Sequence, residues 1–138
     1  LSLFSNHSDF LLGSAHGTEY EKAFQRSKFC LVIRGLVTST LRFTEVFIHS
    51  CIPVIISDGY VPPFSGSINW RTFSIFVPEK DISHLPKILG SVSEKEWNYL
   101  NQNILQVRRH FLYNNPPIRG DAFHMILYEV WKKVRVWN

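Results

Sequence analysis

The sequence of 138 residues has only two cysteines and one methionine, and 19% of it is charged. No apolar run approaches the ~20 residues that a helix needs to cross a membrane. No charged-then-apolar leader opens the chain. No Cys/His spacing matches a zinc site, so no metal site is expected. Neither a Walker motif nor a G-x-G-x-x-G occurs. His7, His16, His49, His84, His110 and His124 stand in no spacing with Ser or Asp that identifies a triad. Basic tracts are missing too. The formal charge of +4 is spread along the chain, and its densest spots, Arg108-Arg109 and Lys132-Lys133, fall in predicted helices. Those read as solvated helix faces, and no nucleic-acid partner is expected. There is no internal repeat, low-complexity tract or linker.

What is present suits one folded domain with a real core: 45% hydrophobic and 14% aromatic residues. The stretch 27–58 organises it. An apolar run, Phe29 to Ile33, stops at Arg34-Gly35. The polar turn Thr38-Ser39-Thr40 follows, then a mostly apolar segment with Arg42 and Glu45 embedded. A second apolar run, Ile52 to Ile56, stops at Ser57-Asp58. Val and Ile runs without polar alternation are the mark of parallel strands covered on both faces. Ligands of such sheets sit at the carboxyl ends of the strands.

Around that stretch, residues 10–12 suggest a short strand and 13–17 a loop. Thr18 and Glu21 form a capping box for a helix over 18–26. Strands are predicted over 28–33, 52–56 and 73–77, with a helix over 41–49 and a turn at 69–71. Asp81 is placed to cap a helix to about Leu89, which Pro86 kinks or delays. Ser93, with Glu96 three residues on, opens a long helix whose Trp97, Leu100, Ile104, Val107 and Phe111 form an apolar stripe. Residues 114–120 break it, and Asp121 starts a last helix carrying Met125, Tyr128 and Trp131. The alternation predicts an α/β fold, a Rossmann-like three-layer α/β/α sandwich with a small parallel sheet. Trp97, Trp131 and Phe111 are expected in the core, and His124 as a packed histidine. Cys30 and Cys51 each fall at or beside a buried strand, where free thiols are common; the expectation is two thiols rather than a disulfide.

Several residues suit an anionic ligand. Gly35 lets the backbone turn tightly after a strand. The next helix begins with free N–H groups that favour phosphate, and Arg34 adds a bidentate donor. The alternative is an ordinary turn with a surface arginine. Arg42 and Glu45, three apart, share a helix face. They read either as an intrahelical ion pair or as a diphosphate ligand and a ribose acceptor. Asp58 reads first as a turn cap and second as a ligand residue.

Taken together, Ser27-Lys28-Phe29-Cys30-Leu31, Arg34-Gly35, Ser39, Arg42, Glu45, Cys51-Ile52-Pro53-Val54-Ile55-Ile56-Ser57-Asp58, Pro63-Phe64, Val107-Arg108-Arg109-His110-Phe111 and Asp121-Ala122-Phe123-His124 resemble the exostosin-like glycosyltransferase family, especially its plant members. The similarity runs from about Tyr20 to Lys133. It implies the carboxyl-terminal, donor-binding domain of a two-domain GT-B enzyme. Such an enzyme transfers a sugar from a nucleotide-sugar, usually a UDP-sugar, to a cell-wall polysaccharide or other glycan acceptor. By resemblance Arg34 and Arg42 hold the diphosphate, Glu45 the ribose, and Gly35 and Ser39 line the phosphate loop, with Asp58 nearby. No tightly bound cofactor is implied. The resemblance also implies the Golgi lumen, an upstream membrane anchor and acceptor domain outside this chain, and association with other glycosyltransferases. A degenerate, non-catalytic relative that partners another enzyme is the competing expectation. Family members commonly carry Gly before the Cys of the second strand, where this chain has Ser50. Where they commonly carry Pro before the motif arginine, it has Leu41. The sequon Asn6-His7-Ser8 permits N-glycosylation of a secretory chain.

Overall fold

The computed structural model describes residues 18–33 and 42–136. Three parallel strands lie in the order β1–β2–β3: β1 Phe29–Ile33, β2 Ile52–Ile56 and β3 Ile75–Val77. β1 and β2 run in register from Phe29↔Ile52 to Ile33↔Ile56, and β2 pairs β3 from Val54↔Ile75 to Ile56↔Val77. The central strand is buried along its whole length, as its unbroken apolar run demands. Helices α1 Thr18–Arg26, α2 Arg42–His49, α3 Leu85–Gly90, α4 Glu94–Val107 and α5 Ala122–Val136 complete the fold. The predicted strand over 10–12, the loop after it and the sequon lie outside the described residues.

Strand alternation gives the sheet two apolar faces. On one, Cys30, Val32 and Ile55 pack with Phe24 of α1, Phe43, Val46 and Phe47 of α2, and Ile104 of α4. On the other, Val54, Ile56 and Val77 meet Leu85 of α3. This is the expected α/β/α layering on a small open sheet.

Local chemistry fixes the element ends. Ser93 caps α4 by accepting from the Glu96 N–H at 3.2 Å. β3 is shorter than predicted because Trp70–Thr72 winds into a 3-10 turn, started by Asn69 accepting from the Arg71 N–H at 3.2 Å. The Ser74 hydroxyl then bonds the Trp70 carbonyl. Pro86 delays the next helix: Glu79–His84 is 3-10, so Asp81 caps no α-helix, and α3 starts at Leu85 with Pro86 in its first turn.

The exit from α2 is a Schellman closure. The Cys51 N–H reaches back to the Val46 carbonyl at 3.1 Å, and Ser50 takes the left-handed conformation, φ 55°. Glycine suits that position best. An L-residue there costs roughly 1–2 kcal/mol, and the Arg108 guanidinium donates to Ser50 Oγ at 2.8 Å. A charged hydrogen bond contributes about 1.5–3 kcal/mol, enough to offset the strain.

Sequence expectations also fail at the two cysteines and at Trp131. Cys30 and Cys51 form a disulfide, with Cα atoms 5.8 Å apart. The parallel register sets Cys30 beside Pro53, two residues beyond Cys51, which immediately precedes β2. Trp131 is not core but 50% exposed. The side of α5 turned to the domain is partly polar: Lys132 donates to the Gly66 carbonyl at 3.0 Å and Glu129 accepts from the Ser67 hydroxyl. Phe123, Leu127, Val130 and Val134 therefore face outward. Phe111 is buried as expected, and Trp97 is half-buried beneath the Lys28 ammonium.

Candidate functional site

Because all three strands are parallel, their carboxyl ends share one edge, where Ile33, Ile56 and Val77 give way to loops. The helix following β1 begins there with Arg42, and Glu45 lies in its first turn. Glu45 is half-buried, and one of its oxygens, Oε2, accepts a hydrogen bond from the Tyr20 hydroxyl at 2.7 Å. Tyr20 stands edge-on to Phe24, centroids 5.0 Å apart, and Phe24 stacks on His49. α1 thus holds the carboxylate from the side. Arg34, Gly35 and Ser39 lie outside the described residues, as does the side chain of Arg42.

Asp58 ties two loops of this edge together. Its N–H donates to Glu79 Oε1 at 3.4 Å, and its Oδ1 accepts from the Glu79 N–H at 3.3 Å. The sequence reading placed it as a cap of the Gly59-Tyr60 turn; its partner is instead the segment after β3. Tyr60 lays its ring on Phe43 at the start of α2, centroids 5.6 Å apart and nearly parallel. Burial pushes its phenol up from the ordinary value, so it remains a neutral donor at neutral pH. Farther along this loop, Phe64 takes φ 58°. Trp70 Nε1 donates to the Pro63 carbonyl at 2.8 Å, and the Phe64 ring lies against Phe111. An open groove of about 440 Å³ runs beside it, lined by Pro62, Gly66, Asn69, Arg71 and Phe76 among others. Neither Glu45 nor Asp58, the two site candidates whose side chains are described, lines this groove. Among the described residues no cluster of His, Cys, Asp or Glu could hold a metal ion, and no helix is long and apolar enough to cross a membrane.

His124 is held by a carboxylate rather than packed among rings. Its Nδ1 lies 2.9 Å from Asp121 Oδ1, and its side chain is 42% exposed. Asp121 is buried and also accepts from the N–H groups of Ile118 and His124. The His124 ring, then these backbone donors and Asn114, hold its carboxyl well below the usual carboxylate range. This is an N-cap with a side-chain partner. The folded group binds its proton more weakly than the unfolded one, whose value is near 3.9. Its stabilisation is complete above roughly pH 4 and is lost as pH falls through the lowered folded value. Asp121→Asn keeps a capping side chain but removes the titration. The urea midpoint of the variant is expected to fall less than that of the parent when pH drops from about 5 to 2.

Sequence reasoning missed Tyr20. It stands 25 positions from its partner, and neither helical nor strand periodicity relates them.

A family model described as Exostosin GT47 domain matches residues 4–92. A probable glycosyltransferase of Arabidopsis thaliana is 44% identical over 115 residues, 83% of this chain and 22% of that protein. A probable beta-1,4-xylosyltransferase of the same plant is 37% identical over 134 residues, 95% of this chain and 32% of the relative. A probable glucuronoxylan glucuronosyltransferase, also from Arabidopsis thaliana, is 33% identical over 136 residues, 97% of this chain and 29% of the relative. The chain thus spans less than a third of the length of these relatives.

Proposed function

The chain belongs to the exostosin GT47 family, and from that premise we propose that it is the donor-binding part of a glycosyltransferase that moves a sugar from a UDP-sugar to a cell-wall glycan. The observation that carries this reading is Glu45. It is an acidic side chain in the first turn of the helix after β1, beside the carboxyl edge of a parallel sheet. Acidic residues near that edge accept the hydroxyls of a nucleotide ribose. The helix start supplies N–H groups for the diphosphate, and Arg34 and Arg42 supply cations for the negative charge that develops on the leaving nucleotide. Gly35, Ser39 and Asp58 complete the donor site in this reading.

The acceptor class follows the relatives whose names specify xylosyl and glucuronosyl transfer. In this reading the full-length enzyme joins the donor-binding part to an acceptor domain and a membrane anchor. The Cys30–Cys51 disulfide favours an oxidising compartment, in keeping with the Golgi lumen. The test is calorimetric titration of UDP into the protein. Binding is expected in the micromolar to millimolar range, about −8 to −4 kcal/mol, and is expected to be lost in Glu45→Ala. Unchanged binding in that variant, with its fold intact, would overturn the ribose assignment.

A further inference from the structure

We propose that Tyr20 is a positioning residue for the donor nucleotide: its hydroxyl locks the Glu45 carboxylate in the orientation that receives the ribose diol. This inference rests on the donor-site reading above. Glutamate has three side-chain torsions, and a glutamate free to rotate would have to be ordered each time ligand bound. Ordering a rotamer-rich side chain opposes binding, and a site that is already ordered avoids the cost. The 2.7 Å bond from the Tyr20 hydroxyl to Glu45 Oε2 does this ordering. A hydroxyl-to-carboxylate bond is charge-assisted and directional. A carboxylate has about four acceptor positions on its two oxygens, so one such bond leaves capacity for two hydroxyls of a sugar.

The tyrosine is itself held. Its ring meets Phe24 edge-on at 5.0 Å, with 77° between the planes. Phe24 is the buried residue of α1 and stacks on His49 at the far end of α2. A packed aromatic ladder therefore fixes the phenol, and the phenol fixes the carboxylate. Tyr20 need not touch the nucleotide to act.

The test titrates UDP, 2′-deoxy-UDP and pyrophosphate into the parent protein, Tyr20→Phe and Glu45→Ala by calorimetry, with thermal unfolding as the check on folding. Tyr20→Phe retains the ring and its contact with Phe24 and removes the hydroxyl that donates to Glu45. UDP binding is expected to weaken roughly two- to tenfold. Pyrophosphate binding is expected to stay unchanged, and the preference for UDP over 2′-deoxy-UDP to shrink. A merely structural tie between α1 and α2 would weaken all three ligands together or none, and either pattern overturns the proposal. If Glu45→Ala weakens UDP while Tyr20→Phe leaves it unchanged, the positioning role falls and the ribose assignment stands. If Glu45→Ala leaves UDP binding unchanged, the ribose assignment fails first and takes this role with it.

Discussion

Phe47→Ala is expected to lower the unfolding free energy by about 3–5 kcal/mol. Phe47 has no exposed surface. Its ring lies parallel to Phe111, centroids 3.8 Å apart with 2° between the planes. It meets Trp70 at 5.7 Å and Phe73 at 6.1 Å in edge contacts. The cost depends on how far the surroundings can collapse into the space left behind. Here they cannot move far. Trp70 is held by its indole bond to the Pro63 carbonyl, Phe73 closes a hydrogen-bonded 3-10 turn, and Phe111 is wedged against Phe64 and Trp70. The lost area and the residual cavity therefore add. A domain with the usual stability of about 5–15 kcal/mol would lose a large share of it. Urea unfolding followed by tryptophan fluorescence measures the effect. Phe47→Leu, which refills most of the volume, is expected to cost distinctly less. A loss below about 1 kcal/mol for the alanine variant would mean that this ring cluster does not organise the core.

The same cluster shows how far the sequence is legible. Phe43, Val46 and Phe47 follow helical spacing on α2 and are all buried, and the unbroken apolar run of β2 is a strand with the predicted bounds. Periodicity reports a buried face directly, so these elements could be read. The apolar pattern overextends the third strand because Phe73, apolar and beside a strand, is buried by a 3-10 turn instead. Burial alone does not specify the backbone. Trp131 failed for a related reason. An apolar stripe says that a face wants cover, but the polar contacts of Glu129 and Lys132 with the loop at Gly66 and Ser67 decide which face turns inward. At the site, Glu45 was found from its place after β1, a local property. Tyr20 was not, because its contact is made by the packing of α1 on α2. Asp58 was singled out, yet its partner Glu79 comes from the next strand's end and no spacing announces it. Arg34, Gly35 and Ser39 rest on pattern and resemblance, being outside the described residues.

The disulfide is the clearest case of tertiary structure overriding a local reading. Reducing Cys30–Cys51 is expected to cost about 3 kcal/mol of stability. The bond closes a loop with a sequence separation of 21, and the entropy removed from the unfolded chain by closing a loop of that size is of this order. The loop encloses all of α2 and the residues between it and β1, so the unfolded state loses freedom in the segment that carries the candidate donor site. The measurement is the urea midpoint with and without reductant. The Cys30→Ala/Cys51→Ala variant serves as control: it should be less stable than the oxidised parent and insensitive to reductant. Alanine is the right replacement, since serine would bury two hydroxyls in an apolar cluster and add a desolvation cost unrelated to the cross-link. A parent protein indifferent to reductant would mean that the thiols are not joined. Native binding should respond less than stability does. Cys30 and Cys51 sit in the core cluster beside Phe24 and Val46, and packing still holds the strands in register once the bond is cut. Reduced protein that remains folded is therefore expected to bind UDP with nearly the parent affinity, while unfolding at distinctly lower urea. If affinity instead collapsed along with stability, the bond would be shaping the folded site and not only restraining the unfolded chain.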